Sequence, residues 1–242
     1  MDVIKSLDNN KIKKYSKLLI KKFRDSEGLF LVEGEHLVAE AFKKGILVDV
    51  IQTEDCSLSY DVLTTYVTYD VLKKLSNCIT PQKVIGVCKK FLPRDVKGKV
   101  LLLDDIQDPG NLGTIIRSSV AFGVDSIVLS LNSVDVYNDK VIRSSEGMIF
   151  NINIIRDDLK GVIDRLHSDE YVVYGTKVDG GKILNQIEQG DKVAFVMGNE
   201  GAGVKKEILE LCDEYLYIPM DSSCESLNVG VATSIILYEF YK

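Results

Sequence analysis

Three polar loops, each following an apolar strand-like run, carry the side chains best placed for chemistry in this chain. The loops lie within LLLDDIQDPGNLGTIIRSS at 101–119, VAFVMGNEGAGV at 193–204, and YLYIPMDSSCESLNVGVATSIILYEF at 215–240. In an open α/β sheet, ligands bind beyond the carboxyl ends of the strands, where such loops gather. The three loops therefore predict a small-molecule site made of backbone groups and a few polar side chains.

The first loop offers an amide and a guanidinium near the start of a predicted helix. Pro109-Gly110 predicts a turn after the strand, Asn111 is suited to cap the helix, and Gly113 permits close approach of a ligand. Arg117, if it faces inward, needs a partner: either a bound ligand or a carboxylate of its own loop (Asp104, Asp105 or Asp108). The glycine spacing fits neither a Walker A loop nor a dinucleotide fingerprint, which disfavours nucleotide phosphate binding and a nucleotide-dependent oxidoreductase.

The second and third loops combine glycines with side chains that hydrogen-bond. Gly198 and Gly201 expose main-chain groups to a bound ring system, and Glu200 between them offers a carboxylate. Taken in isolation, this loop is better explained as a simple turn with a helix-capping Asn. In the third loop Ser226 is a plausible N-cap of the last helix, and Asn228 follows it. That helix is spaced for burial, in the core or in a dimer interface.

The elements that must position these loops alternate regularly. In the second part of the chain, strands are predicted at 100–103, 126–129, 151–155, 171–174, 193–197 and 216–218, and helices at 112–122, 139–145, 158–166, 205–212 and 227–240. Short apolar strands separated by helices predict a mostly parallel sheet covered on both faces. The first 90 residues or so read as a smaller α/β unit, with helices at 11–22, 35–43 and 71–76 and strands at 29–32, 47–52 and 84–88. We therefore expect a domain at 1–92, a linker at 93–99 and a domain at 100–242.

Composition excludes several classes of protein. The five cysteines are odd in number and form no CxxC pair, which indicates a reduced, cytoplasmic protein without a disulfide framework or a metal site. No apolar run approaches the roughly 18 residues of a membrane span, and the N-terminus has no secretory h-region. The two histidines, His36 and His167, lie far in sequence from the loops, so a serine or cysteine hydrolase is not expected.

Charge divides the chain into two parts. Residues 1–97 carry 17 Lys and Arg against 13 Asp and Glu, whereas residues 98–242 carry 13 against 23. The basic residues concentrate in KIKKYSKLLIKKFR, at 11–24. This block has two interpretations, a surface that binds a polyanion and the solvated face of an amphipathic helix.

Together the three loops resemble the motifs of the SpoU/TrmH family of RNA ribose 2′-O-methyltransferases. The first motif resembles NLGTIIRSSVAFG at 111–123, the second FVMGNEGAGV at 195–204, and the third IPMDSSCESLNVGVATSIILYE at 218–239. The segment RDSEGLFLVEGEHLVAEAFKKG, at 24–45, is similar to the L30e-like substrate-binding domain of many members. One departure is Asp221-Ser222-Ser223, where many members have glycine.

The resemblance implies a fold, a cofactor and roles for residues. The fold is an α/β trefoil knot, preceded by a smaller L30e-like α/β domain. The cofactor is S-adenosyl-L-methionine, held by Thr176, Gly198, Ile218 and Leu227, and no metal is needed. The catalytic set consists of Asn111, Arg117, Glu200, Ser226 and Asn228, with Arg117 at the reacting 2′-hydroxyl.

The partners implied are RNA and a second copy of the chain. Ribosomal RNA, 23S rRNA in particular, is the expected substrate, because the L30e-like domain resembles RNA-binding ribosomal proteins. RNA contacts are then expected at Lys13, Lys14, Lys21, Lys22 and Arg24. The homodimer is expected to form through the C-terminal domain. Two alternatives stay open: a tRNA 2′-O-methyltransferase, and a catalytically silent factor that binds RNA or the ribosome.

Overall fold

A computed structural model describes residues 2–187, 190 and 192–241. The strands, in chain order, are β1 Val3–Ile4, β2 Leu29–Glu33, β3 Leu47–Thr53, β4 Leu63–Val67, β5 Val84–Lys89, β6 Val100–Leu103, β7 Ser126–Leu129, β8 Asn153–Arg156, β9 Val172–Thr176, β10 Lys182–Ile183, β11 Val193–Met197 and β12 Glu214–Tyr217. The α-helices are α1 Asn10–Ser16, α2 Lys21–Glu27, α3 Glu35–Lys43, α4 Tyr69–Lys73, α5 Pro109–Ala121, α6 Asp139–Ser144, α7 Leu159–Ser168, α8 Lys206–Leu209 and α9 Val229–Glu239.

The chain folds into two compact units. One comprises the chain up to Leu92 together with Asp135–Phe150, and the other comprises Pro93–Val134 together with the chain from Asn151 onward. The segment 135–150 therefore packs with the first unit, although it lies between β7 and β8 of the second. The boundaries drawn from the sequence, at 92–93 and 99–100, stay a prediction.

The first unit is built on a mixed sheet of five strands in the order β1-β4-β3-β5-β2. On one face, α1, the 3₁₀ turn at Lys17–Leu19 and α4 bury Ile12, Leu18, Val71 and Leu72 against it. Strand β4 was not predicted from the sequence, because its LTTYV run is polar at its centre and one end is exposed to solvent.

The single helix predicted over 11–22 is wrong. The structure has α1, a 3₁₀ turn at Lys17–Leu19, and then α2, because Ile20 adopts an extended conformation with φ −105° and ψ 128°. Arg24 fixes this break, since its guanidinium donates to the carbonyl oxygen of Leu18 at 2.8 Å. The apolar spacing of the first turns could not reveal a bend that depends on a buried arginine.

The second unit is built on a seven-stranded sheet in the order β10-β12-β9-β11-β6-β7-β8, and every pair of neighbours is parallel. Helices α7 and α8 bury their apolar side chains against one face. On the other face, Phe240 packs its ring 4.6 Å from that of Phe195. The predicted α/β class with a mostly parallel sheet is confirmed, and the threading of a knot stays a prediction.

The register of this sheet brings the three loops to one edge. Leu103 pairs with Met197, and Thr176 pairs with Leu216, so β6, β11, β9 and β12 end at similar levels. Since parallel strands point the same way, the segments that follow them lie side by side. These are the three loops in which the sequence predicts the functional site.

Candidate functional site

A chain of hydrogen bonds joins the three loops through their polar side chains. Asn111 Nδ2 donates to Glu200 Oε1 at 3.0 Å, and Asn228 Nδ2 donates to Asn111 Oδ1 at 2.9 Å. Asn111 is thus held from both sides, with one partner on the loop after β11 and the other at the start of α9. Three of the five predicted catalytic residues therefore form one connected group.

The Glu200 carboxylate is a fixed acceptor in this group. Besides Asn111, it accepts hydrogen bonds from the backbone N–H of Asp108 at 3.1 Å and of Gln107 at 3.3 Å. Partial burial acts to raise the pKa of Glu200, but the hydrogen bonds from Asn111 and from these backbone groups outweigh it, so the pKa lies below its ordinary value. Glu200 is therefore ionised at neutral pH.

The cap residues differ from those predicted. Asp108, and not Asn111, caps α5 by accepting from the Asn111 N–H, and Pro109 occupies the first helical turn instead of a free turn. Likewise Asn228, and not Ser226, caps α9, accepting from the N–H groups of Gly230 and Val231. In both loops a residue with the same capping ability stood a few positions away, so residue type alone did not distinguish them.

Arg117 lies on the exposed side of α5. Within the described ranges 2–187, 190 and 192–241, its guanidinium has no hydrogen bond or ion pair. The three carboxylates proposed as partners are engaged elsewhere: Asp104 and Asp105 pair with Lys205, and Asp108 accepts from the Asn111 N–H. The inward-facing position considered for Arg117 is wrong, and so is the structural ion pair. A planar cation with five N–H donors is thus available to a ligand or to another chain.

A cavity of about 440 Å³ opens beside this polar group. All four residues predicted to hold the cofactor line it: Thr176, Gly198, Ile218 and Leu227. Glu200 and Ser226 also reach its wall, and apolar side chains such as Met197, Leu216, Ala232 and Ile236 cover the rest. The volume lies within the range of about 300–1,000 Å³ that is usual for small-molecule sites.

The loop at the cavity can fold back on itself only because its first residue is a glycine. A Cβ on Gly198 would lie 2.1 Å from the carbonyl carbon of Gly203 and from the nitrogen of Val204. The loop returns across its own first residue, held by two hydrogen bonds between the backbones of Asn199 and Gly203. An apolar cavity with exposed main-chain groups fits an adenosine-containing cofactor, which needs a flat apolar slot and backbone hydrogen bonds.

The basic block of the first unit is mixed in character. Lys13, Lys14 and Lys21 are exposed and form surface ion pairs with Asp8, Glu27 and Asp25 respectively. Lys22 is exposed as well. Arg24 differs, because it is only 6% exposed and pairs with Asp135. The RNA contact expected of Arg24 is thus wrong, since its guanidinium is used inside the first unit.

Sequence reasoning missed the groups that fasten the second loop. Asn199 and Lys205 bind the segment Asp104-Asp105 at the end of β6. Asp104 and Asp105 were considered only as partners for Arg117. Their position directly after a strand was the available signal, but the lysine that pairs with them is remote in sequence.

The described residues hold neither a cluster of metal-binding side chains nor a helix that could span a membrane. No group of three or more His, Cys, Asp and Glu side chains in that part of the chain is arranged to hold a metal ion. No helix within it is long and apolar enough to cross a bilayer.

Both parts of the chain match known protein families. Residues 98–238 match the model described as "SpoU rRNA Methylase family", and residues 9–86 match the "MRM3-like substrate binding domain". The first match covers more than half of the sequence.

Individual proteins are similar over nearly their whole length. The chain is 39% identical to the 23S rRNA (guanosine(2553)-2′-O)-methyltransferase RlmP of Bacillus subtilis, covering 98% of each protein. It is similar in structure to the AdoMet-bound rRNA methyltransferase of Sinorhizobium meliloti, with 27% identity, a TM-score of 0.86, and 99% and 97% of the two chains covered. The SpoU methyltransferase AviRb of Streptomyces viridochromogenes, in complex with AdoMet, gives 27% identity and a TM-score of 0.84, with 96% and 97% covered.

Proposed function

The chain belongs to the SpoU rRNA methylase family, and we propose that it methylates a ribose 2′-hydroxyl of 23S ribosomal RNA with S-adenosyl-L-methionine as the donor. One observation carries this proposal. The linked side chains of Asn111, Glu200 and Asn228 lie at the same sheet edge as a cavity suited to the donor.

For the substrate, we propose the ribose of the guanosine that corresponds to the one modified by the Bacillus subtilis relative. That relative matches along the first unit as well as the second, since 98% of both chains is covered. A tRNA 2′-O-methyltransferase is the second candidate, and a silent RNA-binding factor is the third. The connected polar group argues against the silent factor, as does Arg117, which has no partner among the described residues.

The proposed mechanism gives each side chain a separate task. The cofactor, when bound, supplies an activated methyl group on a sulfonium. Arg117 orients the ribose hydroxyl and stabilises charge on its oxygen; it is not the base, because its pKa is far too high. Glu200, kept ionised, holds Asn111 and the loop before α5 in place. Ser226 lines the cavity. A phosphate of the RNA or a water molecule takes the proton.

We further propose that the protein acts as a homodimer through α9. Val231, Ile235 and Tyr238 lie on one side of this helix and are 47%, 38% and 51% exposed. Their spacing by four and three residues makes a continuous apolar stripe, which is unusual on the surface of a monomer. Helix α5, which carries Arg117, packs beside α9 through a hydrogen bond between Ser118 and Ser234. Arg117 would then contribute to a site that two copies complete.

Cytoplasmic location follows from the proposed substrate. All five cysteines are free in the structure, in agreement with a reducing compartment.

The decisive experiment measures donor binding and methyl transfer together. Purified protein is titrated with S-adenosyl-L-methionine by calorimetry, and then incubated with radiolabelled donor and total RNA from cells that lack the protein. Label in 23S rRNA, mapped to one guanosine ribose, supports the proposal. Label in tRNA selects the second candidate, and donor binding without transfer to any RNA selects the third.

A further inference from the structure

The loop that carries Gly198, Gly201 and Gly203 forms a wall of the cofactor cavity. Glycines lose more conformational entropy on ordering than other residues, so such a loop needs fastening if it is to be shaped before the ligand arrives. The hydrogen bonds between the backbones of Asn199 and Gly203 hold the loop to itself. They do not fasten it to the sheet.

Lys205 makes that connection. Its backbone N–H donates to Asp104 Oδ2 at 2.8 Å, and its ammonium contacts Asp104 Oδ1 at 3.0 Å and Asp105 Oδ2 at 2.6 Å. At the other end of the loop, Asn199 Nδ2 donates to the carbonyl oxygen of Asp105 at 2.8 Å. Both ends of the glycine loop are therefore fixed to the same two residues.

The position of Lys205 is unfavourable by itself. Lys205 is the N-cap of α8 and its side chain caps nothing there. Lysine is not among the residue types whose side chains cap helices. The side chain of Asp104 is only 2% exposed, and within the described part of the chain Lys205 is the cation that neutralises it. The presence of a lysine at position 205 is thus explained by its pairing with Asp104 and Asp105, and not by a role in helix α8.

Asp105 adopts a backbone conformation that few residue types take. Its φ is 54°, in the left-handed region that is occupied mainly by Gly, Asn and Asp. Its carboxylate and its backbone N–H are both bonded to Ser130 Oγ, at 2.6 and 2.8 Å. This turn is therefore rigidly attached to the end of β7, and it offers a firm anchor to the glycine loop.

We infer that Lys205, through Asp104 and Asp105, is a positioning residue that pre-shapes the glycine loop for the cofactor. The inference rests on the proposed use of the cavity for S-adenosyl-L-methionine. If the loop is loosened, the cofactor has to order it on binding, so affinity falls while the chemistry of the bound complex is kept.

The test compares Lys205→Met with Lys206→Met and Lys205→Arg. Lys206 adjoins Lys205, but its side chain is 90% exposed and its ammonium lies 3.7 Å from Glu210, so it is the matched control. For Lys205→Met we expect about a tenfold rise in the Kd and KM for the donor, with kcat at saturating donor within about twofold of the wild type. Lys206→Met should bind like the wild type, and Lys205→Arg should recover most of the affinity.

A second measurement needs no cofactor. Hydrogen exchange of residues 198–204 in the free protein should accelerate in Lys205→Met and stay unchanged in Lys206→Met. Because Lys205→Met leaves the buried Asp104 unpaired and could unfold the unit, Asp105→Asn is the second variant. Asparagine tolerates the left-handed conformation, so this change keeps the backbone turn while it removes the charge and one acceptor oxygen of the pair with Lys205. The same faster exchange is expected.

The outcomes separate this inference from the proposed function. Wild-type protein that fails to bind the donor overturns the proposed function. Wild-type protein that binds it, with unchanged affinity and unchanged loop exchange in both Lys205→Met and Asp105→Asn, overturns only the role of Lys205. A fall in kcat without a rise in KM also overturns it, because a positioning role in donor binding predicts the reverse.

Discussion

The surroundings of Arg117 indicate a role in function and not in the stability of the fold. In the described chain it has no partner, and it is exposed on α5. Arg117→Ala should therefore leave the melting temperature nearly unchanged and lower kcat by about 100-fold or more, as expected for the loss of an orienting and charge-stabilising donor. Donor affinity, measured by calorimetry, should remain within about twofold.

Arg117→Lys tests the geometry of the guanidinium. A lysine keeps the charge but loses the fixed fork of donors. Near-normal turnover of this variant would contradict orientation by two parallel hydrogen bonds.

The ionisation of Glu200 yields a second prediction at this scale. Since its folded pKa is lowered, Glu200 contributes stability that is present above its ordinary pKa of 4.5 and is lost as the pH falls through the lowered value. The stability difference between wild type and Glu200→Gln should therefore shrink towards zero at acidic pH. In Asn111→Ala the pKa of Glu200 should rise, as measured by NMR of the labelled carboxyl.

Thr114→Ala provides the control for that titration. Thr114 lies on the same helix, and its hydroxyl bonds to the carbonyl oxygen of Gly110. An equal change in the pKa of Glu200 in both variants would mean that Asn111 is not its specific donor.

The role of a single residue could be predicted where residue type alone determines it. It could not be predicted where the role depends on which of several possible partners the side chain binds. The sequence identified Glu200, Asn111 and Asn228, and the structure joins them. It could not distinguish Asp108 from Asn111 as a cap, because both side chains accept the same hydrogen bond. It also missed Arg24 as a buried group, since its partner is remote in the chain and a pattern of nearby residues carries no trace of it.

At the scale of elements, the apolar stripe of α9 predicts the behaviour of the assembly. Ile235→Glu puts a charge into the centre of the proposed interface, so sedimentation should show a monomer at concentrations where the wild type is a dimer. Activity should fall at least tenfold if the site is completed by the partner. Ile79→Glu, at a side chain 98% exposed in the first unit, is the control and should remain a dimer.

The helices at 10–27 carry the prediction about RNA. Neutralising Lys13, Lys14, Lys21 and Lys22 to Gln should weaken RNA binding and flatten its dependence on salt, since each phosphate contact adds about 0.7–0.9 to the slope. Three of these lysines are paired with acidic neighbours, so the fall in slope should be less than that of four free cations. An unchanged slope would identify the block as a solvated helix face.

The control for this variant neutralises four lysines of the second unit. Lys160, Lys182, Lys192 and Lys206 are also on the surface and paired with acidic side chains. An equal loss of RNA binding in the control would mean that the overall charge of the protein, and not a local contact of the basic block, determines RNA binding.

Helices and strands were predictable where the hydrophobic periodicity and the length of a segment indicated the same element. The exact boundaries of the elements were not predictable. The central strands of the second sheet fall at the predicted residues, because an apolar run of four or five residues is long enough for a buried strand and too short for a helix. The short edge strands β1 and β10 have two residues each. Such strands exist because a neighbour offers free hydrogen-bonding groups, and this is a tertiary effect.

At the scale of the whole molecule, the first unit depends on a segment that the sequence order assigns elsewhere. In the segment 135–150, the ring centroid of Tyr137 lies 4.7 Å from that of Phe30, and the ring centroid of Phe150 lies 6.2 Å from it. Asp135 accepts from Arg24 Nη2 at 2.6 Å and from Nε at 3.2 Å. The first unit is therefore incomplete without a piece of chain inserted between two strands of the second.

The ion pair between Arg24 and Asp135 allows this dependence to be measured in the full chain. The two side chains are 8% and 14% exposed, so removing the carboxylate leaves a buried guanidinium without its counter-charge. Asp135→Asn should lower the free energy of unfolding of the first unit by about 3–5 kcal/mol. Asp139→Asn, which breaks the more exposed pair with Arg143, should cost below about 1 kcal/mol. Hydrogen exchange should accelerate in β2 and α2 for the first variant only; equal, small effects of both changes would mean that 135–150 adds little to the first unit.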